Sequence, residues 1–232
     1  MRSDSRFTMR GCLGALVFLS MTTGAAAQQG AQDGEWRHYG GDEANTRYSP
    51  LDQINADNFN ELELVWRMKT DNFGPTPEFN FQSTPLMVGG VVYSTVGTRR
   101  AVVAVDAGTG EYLWMHRLNE GQRAAEAPRR LSGRGLAYRD DGTNGQIIYV
   151  TPGYRMIALD ASTGQRISSF GTDGVVDLMQ GMDQEIDPLS GSIGLHATPL
   201  VAGDTIVIGA AHIPGSAPES MRNTKGHIRG FD

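Results

Sequence analysis

From about residue 30 onward, short apolar runs rich in β-branched residues alternate with clusters of Gly, Asp, Asn and Pro. The clearest runs are Gly90-Val91-Val92-Tyr93, Val102-Val103-Ala104-Val105, Gln146-Ile147-Ile148-Tyr149-Val150 and Asp204-Thr205-Ile206-Val207-Ile208. Runs this short, separated by Gly89-Gly90, Asp141-Gly142 and Asn144-Gly145, predict strands joined by hairpins. Helical spacing is scarce. Its best stretch predicts a short helix from about Asp57 to Glu63, with Asn55 as its N-cap. The pattern as a whole predicts an all-β chain.

An internal repeat sharpens that expectation. Ala104-Val105-Asp106-Ala107-Gly108-Thr109-Gly110 recurs as Ala158-Leu159-Asp160-Ala161-Ser162-Thr163-Gly164, each after a β-branched run and before another strand. Ser83-Thr84-Pro85-Leu86-Met87-Val88 is echoed by Ala197-Thr198-Pro199-Leu200-Val201-Ala202. The repeat predicts four-stranded blades. In each, the Asp and Thr side chains would satisfy the amides of a tight turn, and Gly would supply a positive φ. Trp114 follows the first copy and is expected to cover the flank of the next blade; counting along the second copy puts Ser168 in its place, with Phe170 nearby. At Gly230-Phe231-Asp232 a third copy would be starting. Three blades do not close a ring, so the chain is expected to hold the first blades of a longer propeller.

The first residues have a different character. Arg2, Arg6 and Arg10 precede the apolar stretch Gly11–Met21, and Ala25-Ala26-Ala27 follows. This predicts a signal peptide over 1–27, cut before Gln28, since the apolar stretch is shorter than the roughly 20 residues a spanning helix needs. The remaining 28–232 would be the propeller part. Cleavage would also remove Cys12, the single cysteine, which leaves no disulfide and no cysteine-based zinc site. The net charge is −6, and Lys69 and Lys225 are the two lysines. No basic stripe marks a nucleic-acid surface. An exported acidic chain without cysteine suits the periplasm, either free or peripheral to the inner membrane.

The opening Trp36-Arg37-His38-Tyr39-Gly40-Gly41-Asp42, continued by Asn45 to Asn55 with Tyr48-Ser49-Pro50-Leu51 and Gln53-Ile54-Asn55, resembles the start of the mature domain of quinoprotein dehydrogenases. These enzymes carry pyrroloquinoline quinone (PQQ) on an eight-bladed β-propeller, and Ala104–Trp114 is similar to their tryptophan-docking motif. Gly226-His227-Ile228-Arg229-Gly230-Phe231-Asp232 and Gly171–Leu178 are similar to the membrane-type glucose dehydrogenase branch. The alcohol branch has an adjacent cysteine pair over the cofactor, which is missing here. The signal peptide stands where the membrane glucose enzymes have transmembrane helices.

The resemblance implies cofactor contacts at five positions. Arg134, in Ser132-Gly133-Arg134-Gly135-Leu136-Ala137, would fork onto carboxylate or quinone oxygens. Gln82 can both donate and accept. Lys69 and Arg130 would offer further positive charge, and His196 stands where the family often has Thr. The resemblance also implies a carboxylate base and Ca²⁺ ligands in later blades, beyond Asp232. No catalytic residue and no metal ligand is therefore named in this chain, which alone is expected to be inactive. The acidic stretch Asp173, Asp177, Asp183, Glu185, Asp187 lacks the spacing of a calcium loop and reads as solvated. The implied activity is oxidation of a sugar or alcohol hydroxyl by hydride transfer to PQQ, with electrons passing to a membrane quinone or a cytochrome. The alternative is a non-catalytic propeller of the same repeats serving as an outer-membrane assembly scaffold.

Overall fold

The computed structural model describes residues 30–70, 72–131, 133, 135–140, 142–195, 197–209, 211–212 and 223–232. The predicted signal peptide, Arg134 and His196 thus lie outside the described residues. Two four-stranded antiparallel sheets follow one another along the chain. The first comprises β1 (Leu86–Val88), β2 (Val91–Val96), β3 (Ala101–Asp106) and β4 (Tyr112–His116). The second comprises β5 (Ala137–Asp140), β6 (Gly145–Val150), β7 (Arg155–Asp160) and β8 (Val175–Asp177). A two-stranded ladder joins β9 (Ile193–Gly194) to β12 (Ala211–His212), and a third sheet orders β10 (Leu200–Ala202), β11 (Thr205–Ile208) and β13 (Arg229–Phe231).

All four apolar runs picked out from the sequence lie largely or wholly within strands. Strand β6 shows why its run is nearly continuous. Ile147 and Tyr149 pack toward the first sheet with Leu86, Val102, Ala104 and Leu136. Ile148 and Val150 pack the opposite way with Ile193, Ile206 and Ile208. Side chains alternate across a strand, so a strand sandwiched between two sheets must be apolar at every position. The sheets therefore stack face to face like neighbouring blades, and their cores lie between them.

Register defines two ends. Strands β1, β5 and β10 all begin at one end, here the upper end, where the β2–β3 and β6–β7 turns also lie; the Asp-x-x-Thr-Gly turns lie at the lower end. In the lower turns, Asp106 Oδ1 accepts from the amides of Gly108 and Thr109 and from the Thr109 hydroxyl. Asp160 Oδ1 does the same for Ser162 and Thr163. Gly110 and Gly164 close the turns at φ 72° and 70°. Trp114 crosses to the second sheet and donates Nε1–H to Ala161 O at 2.9 Å, with its ring over Gly164.

The structure adds a second tryptophan of the same kind. Trp66, in an extended segment before the first sheet, donates to Ala107 O at 2.9 Å and lies over Gly110. Two expectations need correction. The helix over 57–63 is a single 3₁₀ turn, Phe59–Glu61, that buries no residue. The Asn55 and Asn58 side chains bond local backbone groups there, and without a buried face the turn does not propagate. Nor does Ser168 occupy the place of Trp114. A bulge between Ala104 and Val105 sets Trp114 opposite Ala104. The second sheet lacks that shift, so Ile167 takes the place opposite Ala158, donating to Ala158 O at 3.0 Å. Ile167 and Phe170 pack against the second core, while Ser168 is exposed.

Candidate functional site

The upper end gathers the predicted site residues that the structure describes. The segment carrying Lys69 climbs the flank of the first sheet: Trp66 sits at the lower turn, whereas Met68 and Phe73 pack on Val96, Ala101 and Val103 near the upper end. Lys69 is exposed beside them. The chain then passes over the β2–β3 turn, where Glu78 accepts from Gly97 N at 2.9 Å. It enters β1 through Gln82, which is exposed, and Ser83, whose hydroxyl meets Ser94 and Thr95 at 3.1 and 3.0 Å.

The connection from β4 to β5 also runs across this end. It contains a short helix, α1 (Gln122–Glu126), that the sequence pattern did not reveal. The apolar positions of α1 are alanines, and one of its two buried residues is charged. Arg123 is accommodated because it donates to Gly153 O and to both Asp177 oxygens, at 2.6–2.7 Å. Burial opposes ionisation of Asp177, but the Arg123 hydrogen bonds and the Met179 amide outweigh it and hold its carboxyl below the ordinary value. Glu120, its side chain 1% exposed, accepts from Thr151 Oγ1, Gly153 N and Arg155 Nη1. These bonds anchor the connection to the β6–β7 turn. Arg130 lies beyond the helix, exposed, with Nη1 on Ala125 O at 2.8 Å.

Two glycines then flank position 134, and each has a contact that dictates it. Gly133 has φ 78°, and a Cβ there would come within 3.1 Å of the Arg100 guanidinium. Gly135 has φ 120°, bridges Thr84 in parallel, and would set a Cβ 2.7 Å from Thr84 O. Gly135 is thus held against Thr84, in the segment that follows Gln82. Positive φ at close backbone contacts is what glycine permits. Positions 195 and 197 flank His196 at the same end, in the approach to β10.

Lys69, Gln82 and Arg130 thus share one end of the sheets, together with the turn flanking position 134. Two cations and an amide on one side offer charge-assisted and neutral hydrogen bonds to a carboxylated ligand. The described residues include no group of three or more His, Cys, Asp and Glu side chains able to hold a metal ion. Three carboxylates of the acidic stretch are paired: Asp173 with Arg166, Asp177 with Arg123, and Asp183 with Lys225 and His227. A cleft of about 380 Å³ lined by Val88, Tyr93, Trp114, Tyr138 and Ala161 opens at the lower end, away from these residues.

Residues 36–232 match the family model of the glucose/ethanol/alcohol dehydrogenase β-propeller domain, which carries the label PQQ. The dehydrogenase subunit of the quinone-linked alcohol dehydrogenase of Gluconobacter oxydans (strain 621H) is 36% identical over 174 residues, covering 69% of this chain and 22% of that one. The quinoprotein glucose dehydrogenase of Escherichia coli (strain K12) is 30% identical over 227 residues, covering 90% and 27%. The quinohemoprotein alcohol dehydrogenase from Comamonas testosteroni superposes with a TM-score of 0.62 at 26% identity, covering 80% of this chain and 24% of that structure. The chain therefore spans less than a third of the length of the relatives it matches.

Proposed function

The chain belongs to the PQQ-dependent glucose/ethanol/alcohol dehydrogenase β-propeller family, and from that premise we propose that the whole protein oxidises a hydroxyl of a sugar or alcohol. Bound PQQ supplies the hydride acceptor. Electrons then go to a membrane quinone or a cytochrome. What supports this reading is the gathering of Lys69, Gln82 and Arg130 at the end where the glycine-flanked turn meets Thr84.

In this reading Lys69 and Arg130 attract and hold the cofactor's carboxylates. Gln82 fixes its edge through a donor and an acceptor at once. Arg134 and His196 join them on the strength of the family resemblance. Gly133 and Gly135 let the main chain on either side of position 134 pack against Arg100 and Thr84. The carboxylate base and a Ca²⁺ site belong to other blades of the whole protein. The absence of cysteine after Cys12 favours the glucose-type branch, whereas the identity is higher to the alcohol enzyme; a substrate panel decides between them. Residues 1–27 support export to the periplasm, and no described helix is long and apolar enough to cross a membrane.

The test is titration of the cofactor-free whole protein with PQQ, followed by dye reduction with sugars and alcohols in the presence of Ca²⁺. Saturable binding and PQQ-dependent reduction are expected. Replacing Arg134 by Met should weaken PQQ binding about tenfold or more, the value of a charge-assisted hydrogen bond. No binding, and no reduction with any substrate, would overturn the reading and leave the scaffold alternative. At present that alternative has only the shared repeat in its favour, against a dehydrogenase family match over 36–232.

A further inference from the structure

The upper end contains a buried cation whose bonds run to main chain. Arg100 is 3% exposed. Its Nε donates to Leu131 O at 2.7 Å, Nη2 to Arg129 O at 2.8 Å and Nη1 to Val150 O at 3.1 Å. Arg100 is one of the few non-glycine residues at positive φ, 49°, at the close of the β2–β3 turn. From this turn the side chain leaves the first sheet and passes under the connection that leads to the second. Burial lowers its pKa to about 10, against the opposing field of Glu120, so it stays protonated at neutral pH.

The geometry is that of a clamp. One planar group spans both sheets: it grows from the first, ends on the last residue of β6, and grips two successive odd-numbered carbonyls of the connection between them. A guanidinium can do this because its donors point in fixed, divergent directions; an ammonium presents a single point. Gly133 comes two residues after Leu131, and its missing side chain leaves room for the fork. We infer that Arg100 is a positioning residue for the cofactor site: by holding the carbonyls of residues 129 and 131 and packing against Gly133, it fixes the stretch of the connection that presents Arg130. The inference rests on the function proposed above. It assigns a role to a residue that would not itself touch the cofactor.

The experiment compares three variants of the whole protein, Arg100→Met, Arg100→Lys and Leu159→Ala. Leu159 is a fully buried core residue near the lower end, so its truncation lowers the melting temperature from the end of the sheet opposite residues 128–135. Amide hydrogen exchange over residues 128–135 is measured without cofactor, and PQQ affinity is measured by fluorescence titration. Arg100→Met should speed exchange over 128–135 and weaken PQQ binding, each by about tenfold, equivalent to one charge-assisted hydrogen bond. Leu159→Ala should leave both near the parent values despite its lower melting temperature. Arg100→Lys should fall between, and it carries the comparison where Arg100→Met does not fold. Exchange no faster than in Leu159→Ala overturns the clamp. Faster exchange with unchanged PQQ affinity overturns its link to the site. If the parent itself takes no PQQ, the proposed function fails and the cofactor role of Arg100 fails with it, while exchange still decides whether the clamp exists.

Discussion

One carboxylate oxygen organises each Asp-x-x-Thr-Gly turn. Asp160 Oδ1 gathers the Ser162 hydroxyl and amide and the Thr163 hydroxyl and amide. The Ser162 hydroxyl is foremost in holding this carboxyl below its ordinary value; partial burial opposes it and Thr163 adds to it. A depressed carboxylate stabilises the fold above its unfolded pKa, about 3.9, and that contribution is lost as pH falls through the lower folded value. Asp160→Asn should therefore be less stable than the parent at pH 7, with the gap closing near pH 2; urea midpoints at both pH values check this. At Trp114, substitution by Phe keeps a ring over Gly164 and removes the bond to Ala161 O, at a cost of about 1 kcal/mol. Trp114→Ala should cost about 3 kcal/mol or more, read from the same urea curves. The Asp, Thr, Gly and Trp roles were legible because each is a local consequence of residue type. Arg100 was not, because a lone arginine beside Arg99 carries no sign that carbonyls thirty and fifty residues away will surround it.

Among elements, the strands were legible and the helices were not. Strands sandwiched between sheets leave a run of apolar residues, whereas α1 is held by Arg123 and Asp177, which are 54 residues apart. The bulge in β3 was also hidden. A one-residue shift leaves no trace in composition, yet it decides whether Ser168 or Ile167 succeeds Trp114. Turns give a sharper test. Gly164 and Gly203 both have positive φ, 70° and 59°. A Cβ at Gly164 would lie 2.5 Å from the Trp114 ring, while Gly203 has nothing within 4 Å. Gly203→Ala should cost about 1 kcal/mol of backbone strain, and Gly164→Ala should cost clearly more. Equal losses in paired thermal melts would show that the indole yields freely.

For the molecule as a whole, the repeat announced stacked sheets, and the shared end of the candidate residues follows from strand direction. The gathering itself was not visible in the sequence, because Lys69, Gln82 and Arg130 belong to three connections that only the register brings to one side. Acid should act on the whole assembly. Asp106, Asp160 and Asp177 are all held below their ordinary values by bonds that tie turns and connections together. Stability should ease downward below about pH 6.5, because burial lowers the pKa of His116 and the unfolded chain takes up that proton first, and should then fall steeply below about 4. Removing Arg123 as Arg123→Met should lower the neutral plateau and soften that fall, as measured by urea midpoints against pH.

The two indole–carbonyl contacts have the same length and a glycine from the same place in the repeat beneath each: Trp66 on Ala107 over Gly110, and Trp114 on Ala161 over Gly164. The Trp114 contact acts as a pin with a single setting between two sheets, so the rotation from one to its neighbour is chosen at the junction, while Trp66 fastens the incoming segment to the first sheet in the same way. Curvature is then a local property, inherited step by step, and it does not wait for a closed circle to impose it.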